Sequence, residues 1–146
     1  MKKLAIAALL VMAVAGCRGR MGTGTTRAGG ANSPREAIER FLGTAKAQDY
    51  EGMGLIFGSA KGPARATIQK AELQQREFIF MRCMRHDRYQ IGGETQTATG
   101  DRVLGVQLWL KDLTASSNFT VVEGPNGRWY VQEFQPDPLQ PICTSL

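Results

Sequence analysis

A single histidine, His86, stands among the 146 residues of the chain, and that scarcity narrows its chemistry. A multi-histidine metal site and an imidazole pair are both excluded. Cysteine is sparse too, three in all, and none has a neighbour at the spacing that holds zinc. No glycine-rich phosphate loop follows a strand, and no serine nucleophile elbow is present. Long apolar runs are missing: the one uninterrupted stretch, Leu4 to Ala15, falls short of the roughly 20 residues a membrane span requires. Charge of one sign does not dominate either. The 18 Lys and Arg against 13 Asp and Glu give a formal +5, too mild to demand nucleic acid. Neither a cofactor nor a metal is expected, and no nucleic-acid partner.

What is present begins at the first residues. Lys2 and Lys3 precede the apolar stretch, and small residues follow it, the order of a secretory signal. Val14-Ala15-Gly16-Cys17 resembles the lipobox of bacterial lipoproteins. That resemblance implies cleavage before Cys17, a diacylglyceryl group on its sulfur and acylation of the new amino group. Small residues let a peptidase approach the backbone, and a thiol supplies the nucleophile. Several acyl chains anchor stably where one binds marginally. Arg18, where inner-membrane retention usually calls for aspartate, points to the periplasmic face of the outer membrane. Residues 1–16 are thus expected to be a signal peptide. Loss of Lys2 and Lys3 lowers the formal charge from +5 to +3.

Residues 17–32, Gly- and Thr-rich with scattered arginines and no apolar period, read as the lipidated cysteine and a flexible tether. One domain then occupies 33–146. Ser33-Pro34-Arg35-Glu36 combines an N-cap, a helix-starting proline and a capping-box glutamate. Ile38, Phe41, Leu42 and Ala45 continue as one helical stripe ending near Ala47. Asp49 caps a second short helix carrying Met53, Ile56 and Phe57, which Gly52 and Gly54 weaken. From Ala64 to Arg85 the composition favours a third helix, with Ile68, Ala71, Gln75, Ile79 and Cys83 on one face. Within it, Phe78-Ile79-Phe80-Met81 is apolar on all sides and equally fits a buried strand.

From Tyr89 the period becomes two. Strands are expected from Tyr89 toward Thr99, along Leu104–Leu110, from Phe119 to Glu123 and from Trp129 to Phe134. Turns at Gly100-Asp101 and Pro125-Asn126-Gly127 separate them. Gly92-Gly93 marks a bulge. Trp129 and Tyr130 point to opposite faces, and the tail from Gln135, with three prolines, is irregular. The result is an α+β fold, helices covering one face of a curved antiparallel sheet of about four strands.

Ser33-Pro34-Arg35-Glu36-Ala37, Phe41-Leu42, Gln48-Asp49-Tyr50-Glu51 and the late Arg128-Trp129-Tyr130-Val131 resemble nuclear transport factor 2-like domains, which include ketosteroid isomerase and polyketide cyclase groups. That family encloses a pocket between sheet and helices. No short strand is evident between the second and third helices, so a reduced cone or a simpler cystatin-like roll is the alternative. No catalytic residue transfers from the family to this chain.

The remaining candidates are few. His86 beside Asp87 is an acid/base pair or a solvated helix end. Arg76, Arg82, Arg85 and Arg88 form a cluster for an anionic partner, the last three near one helical face if the helix persists, or else a solvated stripe. With Cys17 lipidated, Cys83 and Cys143 remain in a compartment that permits disulfides. Their bond would pin the tail to the third helix and contribute about 4 kcal/mol in the chain-entropy model; a free Cys83 with a loose tail is the alternative. The function these features imply is a non-catalytic envelope lipoprotein binding a partner protein or a small apolar ligand. The alternatives are a pocket isomerase or cyclase using Asp87, Glu94 or Glu133 as base, and a structural component holding anionic lipid or glycan.

Overall fold

A computed structural model describes residues 29–146; the expected signal peptide, Cys17 and the tether as far as residue 28 lie outside the described residues. The order is α1 (Pro34–Ala47), α2 (Tyr50–Ile56), β1 (Gly58–Ser59), β2 (Gly62–Pro63), α3 (Ala64–Thr67), α4 (Lys70–Cys83), β3 (Arg88–Gln96), β4 (Arg102–Leu110), β5 (Leu113–Glu123), β6 (Trp129–Phe134) and α5 (Gln140–Cys143). Strands β3-β4-β5-β6 form a four-stranded antiparallel meander in chain order. Among the described residues no helix is long and apolar enough to cross a membrane.

Local chemistry accounts for the helix starts. Ser33 Oγ accepts from the Glu36 amide, and the Glu36 carboxylate accepts from Asn32 N–H at 3.0 Å, so two donors that the helix leaves open are satisfied together. Asp49 Oδ1 accepts from the Gly52 amide at 2.8 Å. The two glycines that weaken α2 by propensity are demanded by its surroundings. A methyl group at Gly52 would strike the Asp49 carboxylate, and one at Gly54 would lie 3.0 Å from Glu77 Oε1.

The helices cover one sheet face. Leu104, Val106 and Leu108 of β4 with Ala115, Phe119 and Val121 of β5 point inward and are buried, as period-two alternation requires. Phe41 of α1 sits over them, its ring centroid 5.6 Å from Phe80, 6.1 Å from Phe119 and 6.4 Å from Phe134. The register shift between Ile91 and Glu94 places the expected bulge at Gly92-Gly93.

Five expectations are corrected. The third helix is two: α3 stops at Thr67 and α4 begins at Lys70. The buried face of α4 is Leu73, Glu77, Phe80, Met81 and Cys83, whereas Phe78 and Ile79 are exposed. The stripe through Ile68 and Ile79 fails because Ile68 lies outside the helix and Phe80 takes the inward position against Phe57 and Phe134. A short strand pair does follow α2, with Phe57 beside it bridging to Val131. The tail folds into turns at Asp137–Leu139 and Gln140–Cys143, burying Leu139 and Ile142 completely; its prolines stand at helix starts, where a missing N–H costs nothing.

The fifth correction concerns the tether, expected to run loose to Asn32. Ala31 is fully buried and exchanges two backbone hydrogen bonds with Trp129, 2.8 and 2.9 Å. Arg128 donates to the carbonyls of Gly29 and Gly30 at 3.0 and 2.7 Å. Gly30 has φ +70°, and a methyl group there would lie 2.8 Å from the Tyr130 ring. Glycine serves close approach here rather than looseness.

Candidate functional site

The space between helices and sheet, where the family resemblance implies a pocket, is filled. Phe41, Phe119, Leu104, Leu108, Met84 and Ile142 are wholly or almost wholly buried there. The carboxylates considered as bases lie elsewhere. Asp87 accepts from the Lys111 amide at 2.7 Å and ties the β4–β5 turn to the start of β3. Glu94 pairs with Arg102 at 2.9 Å, and Glu133 sits exposed opposite Thr120. His86 is buried, Nδ1 2.7 Å from the Met84 carbonyl, with its ring edge-on to Tyr89. Adjacent in sequence, His86 and Asp87 have different partners and form no couple.

Of the four arginines, Arg82 and Arg85 border one depression, while Arg76 and Arg88 are held by other partners. Helix α4 ends at Cys83, so the helical face expected to carry Arg82, Arg85 and Arg88 stops short. Arg76 is paired with Glu72 at 2.6 Å on the helix exterior. Arg85 donates to the carbonyls of Ile142 and Ser145 and to Ser145 Oγ, closing the tail. Arg88 lies on β3 with its guanidinium 4.1 Å from the Trp109 ring centre. Arg82 stands exposed, with no side-chain hydrogen bond or ion pair among the described residues.

Cys83 and Cys143 lie at disulfide-bond distance, S–S 2.09 Å. The bond joins the end of α4 to α5, and Arg85 fastens the residues just beyond it. Trp129 and Tyr130 do alternate. Tyr130 is buried against Gly30 and Gly124, while half-buried Trp129 packs on the core margin with the Arg102 guanidinium 5.5 Å from its ring centre.

Two depressions lie on the helical layer around Tyr50, which borders both. The first is a depression of about 430 Å³ with Met81 at its base and Tyr50, Phe78, Arg82, Arg85 and Leu146 around it. Phe78 is 57% exposed and Tyr50 42%, and Ile79 beside Phe78 is exposed as well, so apolar surface collects on this border of the helices. The second is a cleft of about 450 Å³ between α2 and α4, lined by Tyr50, Glu51, Arg65, Lys70, Leu73 and Glu77. Glu77 is only 4% exposed, and among the described residues its carboxyl has no hydrogen bond or ion pair. Arg65, the cation that acts on it, is paired instead with Glu51 at 3.3 Å. Burial raises the Glu77 pKa, and the Arg65 charge lowers it in part.

Glu77 was not singled out from the sequence, although a signal existed. Leu73, Glu77, Phe80 and Met81 stand at i, i+4, i+7 and i+8, an inward stripe with one carboxylate in it. The rival stripe through Ile79 concealed it.

Comparison with known proteins adds little to this geometry. No family model matches the chain, and no curated protein does. One solved structure, described as "Rd1NTF2_04 with long sheet", shares 14% identity with it, covering 70% of this chain and 97% of its own length at a TM-score of 0.40. A likeness that loose leaves the architecture to be argued from the residues themselves. They give an α+β protein of helices packed on a four-stranded antiparallel meander.

Proposed function

We propose that the chain is a lipid-anchored envelope protein whose nuclear-transport-factor-2-like domain is a binding module rather than an enzyme. Its apolar surface around Tyr50 and Phe78 takes a partner protein. One observation carries the reading: the interior is packed with aromatic rings while the helix-borne rings of Tyr50 and Phe78 stand exposed together on one border of the helical layer. Large rings beside an unattached arginine, Arg82, have the composition of an interface core. A filled interior favours a protein partner over a small apolar ligand and removes the enclosed space an isomerase or cyclase would need.

The placement of the chain supports this assignment. The polypeptide enters the fold at Gly29–Asn32, beside the start of α1, and the apolar surface lies beyond its end, at Gln48 and Tyr50. The 14 residues of α1 span roughly 21 Å. A tether fixed at Cys17 would therefore hold this surface on the side away from its attachment. Outer-membrane anchoring through Cys17 belongs to the same proposal.

Two measurements test it. Growth with labelled palmitate should label the chain, and Cys17→Ser should abolish the label and release the protein from membranes. A photo-crosslinking residue at position 78 should give one discrete adduct in intact cells, and the same residue at Thr114 on the opposite sheet face none. Equal patterns at the two positions, or turnover of a substrate by the purified domain, would overturn the reading.

A further inference from the structure

The cleft between α2 and α4 holds Glu77, which among the described residues is the buried polar side chain left without a hydrogen bond. Glu77 reaches its floor from α4, and α2 supplies Gly54 opposite. With no side chain at position 54, the carboxyl oxygen Oε1 approaches the α2 backbone directly. Among the described residues no donor reaches the Glu77 carboxyl, so its oxygens have only water entering the cleft to bind. Buried acids in folded proteins nearly always have a hydrogen-bond donor. The obvious intramolecular donor is Arg65, at the near end of α3, yet its guanidinium is engaged by Glu51 at the rim. Lys70 lines the cleft without forming an ion pair to Glu77.

We propose that this cleft binds the cationic end of an alkylammonium group, with Glu77 as the principal acceptor. The walls divide as such a ligand requires. The Leu73 side chain and the Tyr50 ring offer apolar surface to a methylene stem, and the ring face suits a cation near it. Glu77 at the floor and Glu51 at the rim offer oxygens to the ammonium protons, while Gln74 adds a neutral amide. An anionic ligand would meet the Glu77 carboxyl at the floor, and a purely apolar one would leave it unsatisfied. Burial raises the Glu77 pKa, and a cation seated beside the carboxyl would lower it. The site shares Tyr50 with the apolar surface but rests on Glu77, and it stands whether or not that surface binds a protein.

Two sources share this chemistry, a free amine and a lysine side chain of another protein. Titration of the full chain in non-ionic detergent with butylammonium, and separately with an N-acetylated, C-amidated Gly-Lys-Gly peptide, distinguishes them. Saturable binding of at least one probe is expected, with amide shifts at Tyr50, Gly54 and Leu73. It should weaken at least tenfold in Glu77→Gln, a variant of equal shape. Tighter binding of butylammonium assigns a free amine; tighter binding of the peptide assigns a lysine side chain. n-Butanol, with the same stem and no charge, should not bind. The carboxyl carbon shift of Glu77 in the unsubstituted chain gives a readout independent of any variant, and it should move on amine addition. Absence of binding by both probes, equal binding by Glu77→Gln, or equal binding of butanol overturns the proposal.

Discussion

The carboxyl of Glu77 on α4 rests against the backbone of Gly54 on α2, so near that a methyl group at position 54 would stand 3.0 Å from Oε1 and 3.2 Å from Leu73 Cδ2. Two residues that look like faults in their own helices, a glycine inside α2 and an acid on the inward stripe of α4, are complementary. The absence of one side chain makes room for the other, and between them they form the cleft floor.

That complementarity has a measurable energy. Gly54→Ala gains about 1 kcal/mol of helix propensity but crowds Glu77 and Leu73, and overpacking of that kind costs about 1–3 kcal/mol. The single variant should be less stable than the parent by about 1 kcal/mol. In a Glu77→Ala background the same change should be neutral or stabilising. Urea denaturation of the four proteins in the cycle checks the coupling; additive effects would mean that the two residues do not share the space.

Glu77 also sets a pH dependence with a definite sign. Its folded pKa is raised above the ordinary value of 4.5, chiefly by burial. Between 4.5 and the raised value the folded chain binds more protons than the unfolded one, so stability falls as pH rises through that window and levels off above it. Each unit of displacement corresponds to about 1.4 kcal/mol. Glu77→Gln should be more stable than the parent at neutral pH, with the difference closing below about pH 4.5. Denaturant midpoints measured at pH 4, 6 and 8 test this. A variant less stable than the parent at pH 8 would contradict it.

Legibility in the sequence followed from how many local cues agreed. Helix α1 was readable because Ser33, Pro34 and Glu36 fix its start and Ile38, Phe41, Leu42 and Ala45 fix its face. The sheet was readable because β4 alternates cleanly and Gly92-Gly93 interrupts the period where the register shifts. For helix α4 the composition announced a helix but not its inward face, since Phe78-Ile79-Phe80-Met81 offers an apolar side chain in every direction and packing against Phe41, Phe57 and Phe134 selects Phe80. The arginine cluster failed for a related reason. Its co-facial geometry depended on a helix that ends at Cys83, after which Arg85 turns to the tail and Arg88 to the sheet.

The tail's attachment is predicted to have two separable parts. The Cys83–Cys143 bond closes a loop with a sequence separation of 60, about 4 kcal/mol in the chain-entropy model. Replacing both cysteines by serine should lower stability by about 2–4 kcal/mol yet leave Leu139 and Ile142 docked, because Arg85 still holds the Ile142 and Ser145 carbonyls. Adding Arg85→Ala should release the tail, seen as rapid carboxypeptidase trimming past Ile142. Equal trimming of the double and triple variants would show that the arginine contributes nothing.

Entry of the chain into the fold depends on Arg128. Its guanidinium donates to the Gly29 and Gly30 carbonyls and to the Asn32 side chain, and Arg40 adds a further bond to Gly30. These bonds carry a charged donor, so each is worth about 1.5–3 kcal/mol where no water replaces it. Part of that is recovered by hydration in Arg128→Ala, and a net loss of about 1–2 kcal/mol follows. The diagnostic is local. The Ala31 amide, bonded to the Trp129 carbonyl at 2.8 Å, should exchange with deuterium much faster in the variant, while amides on β4 and β5 keep their protection. Unchanged exchange at Ala31 would show that the strand-like pairing with Trp129 holds residues 29–32 unaided. If the clamp instead fails as predicted, residues 29–32 leave the fold, and under the anchoring proposed at Cys17 the Tyr50–Phe78 surface would gain reach by their length.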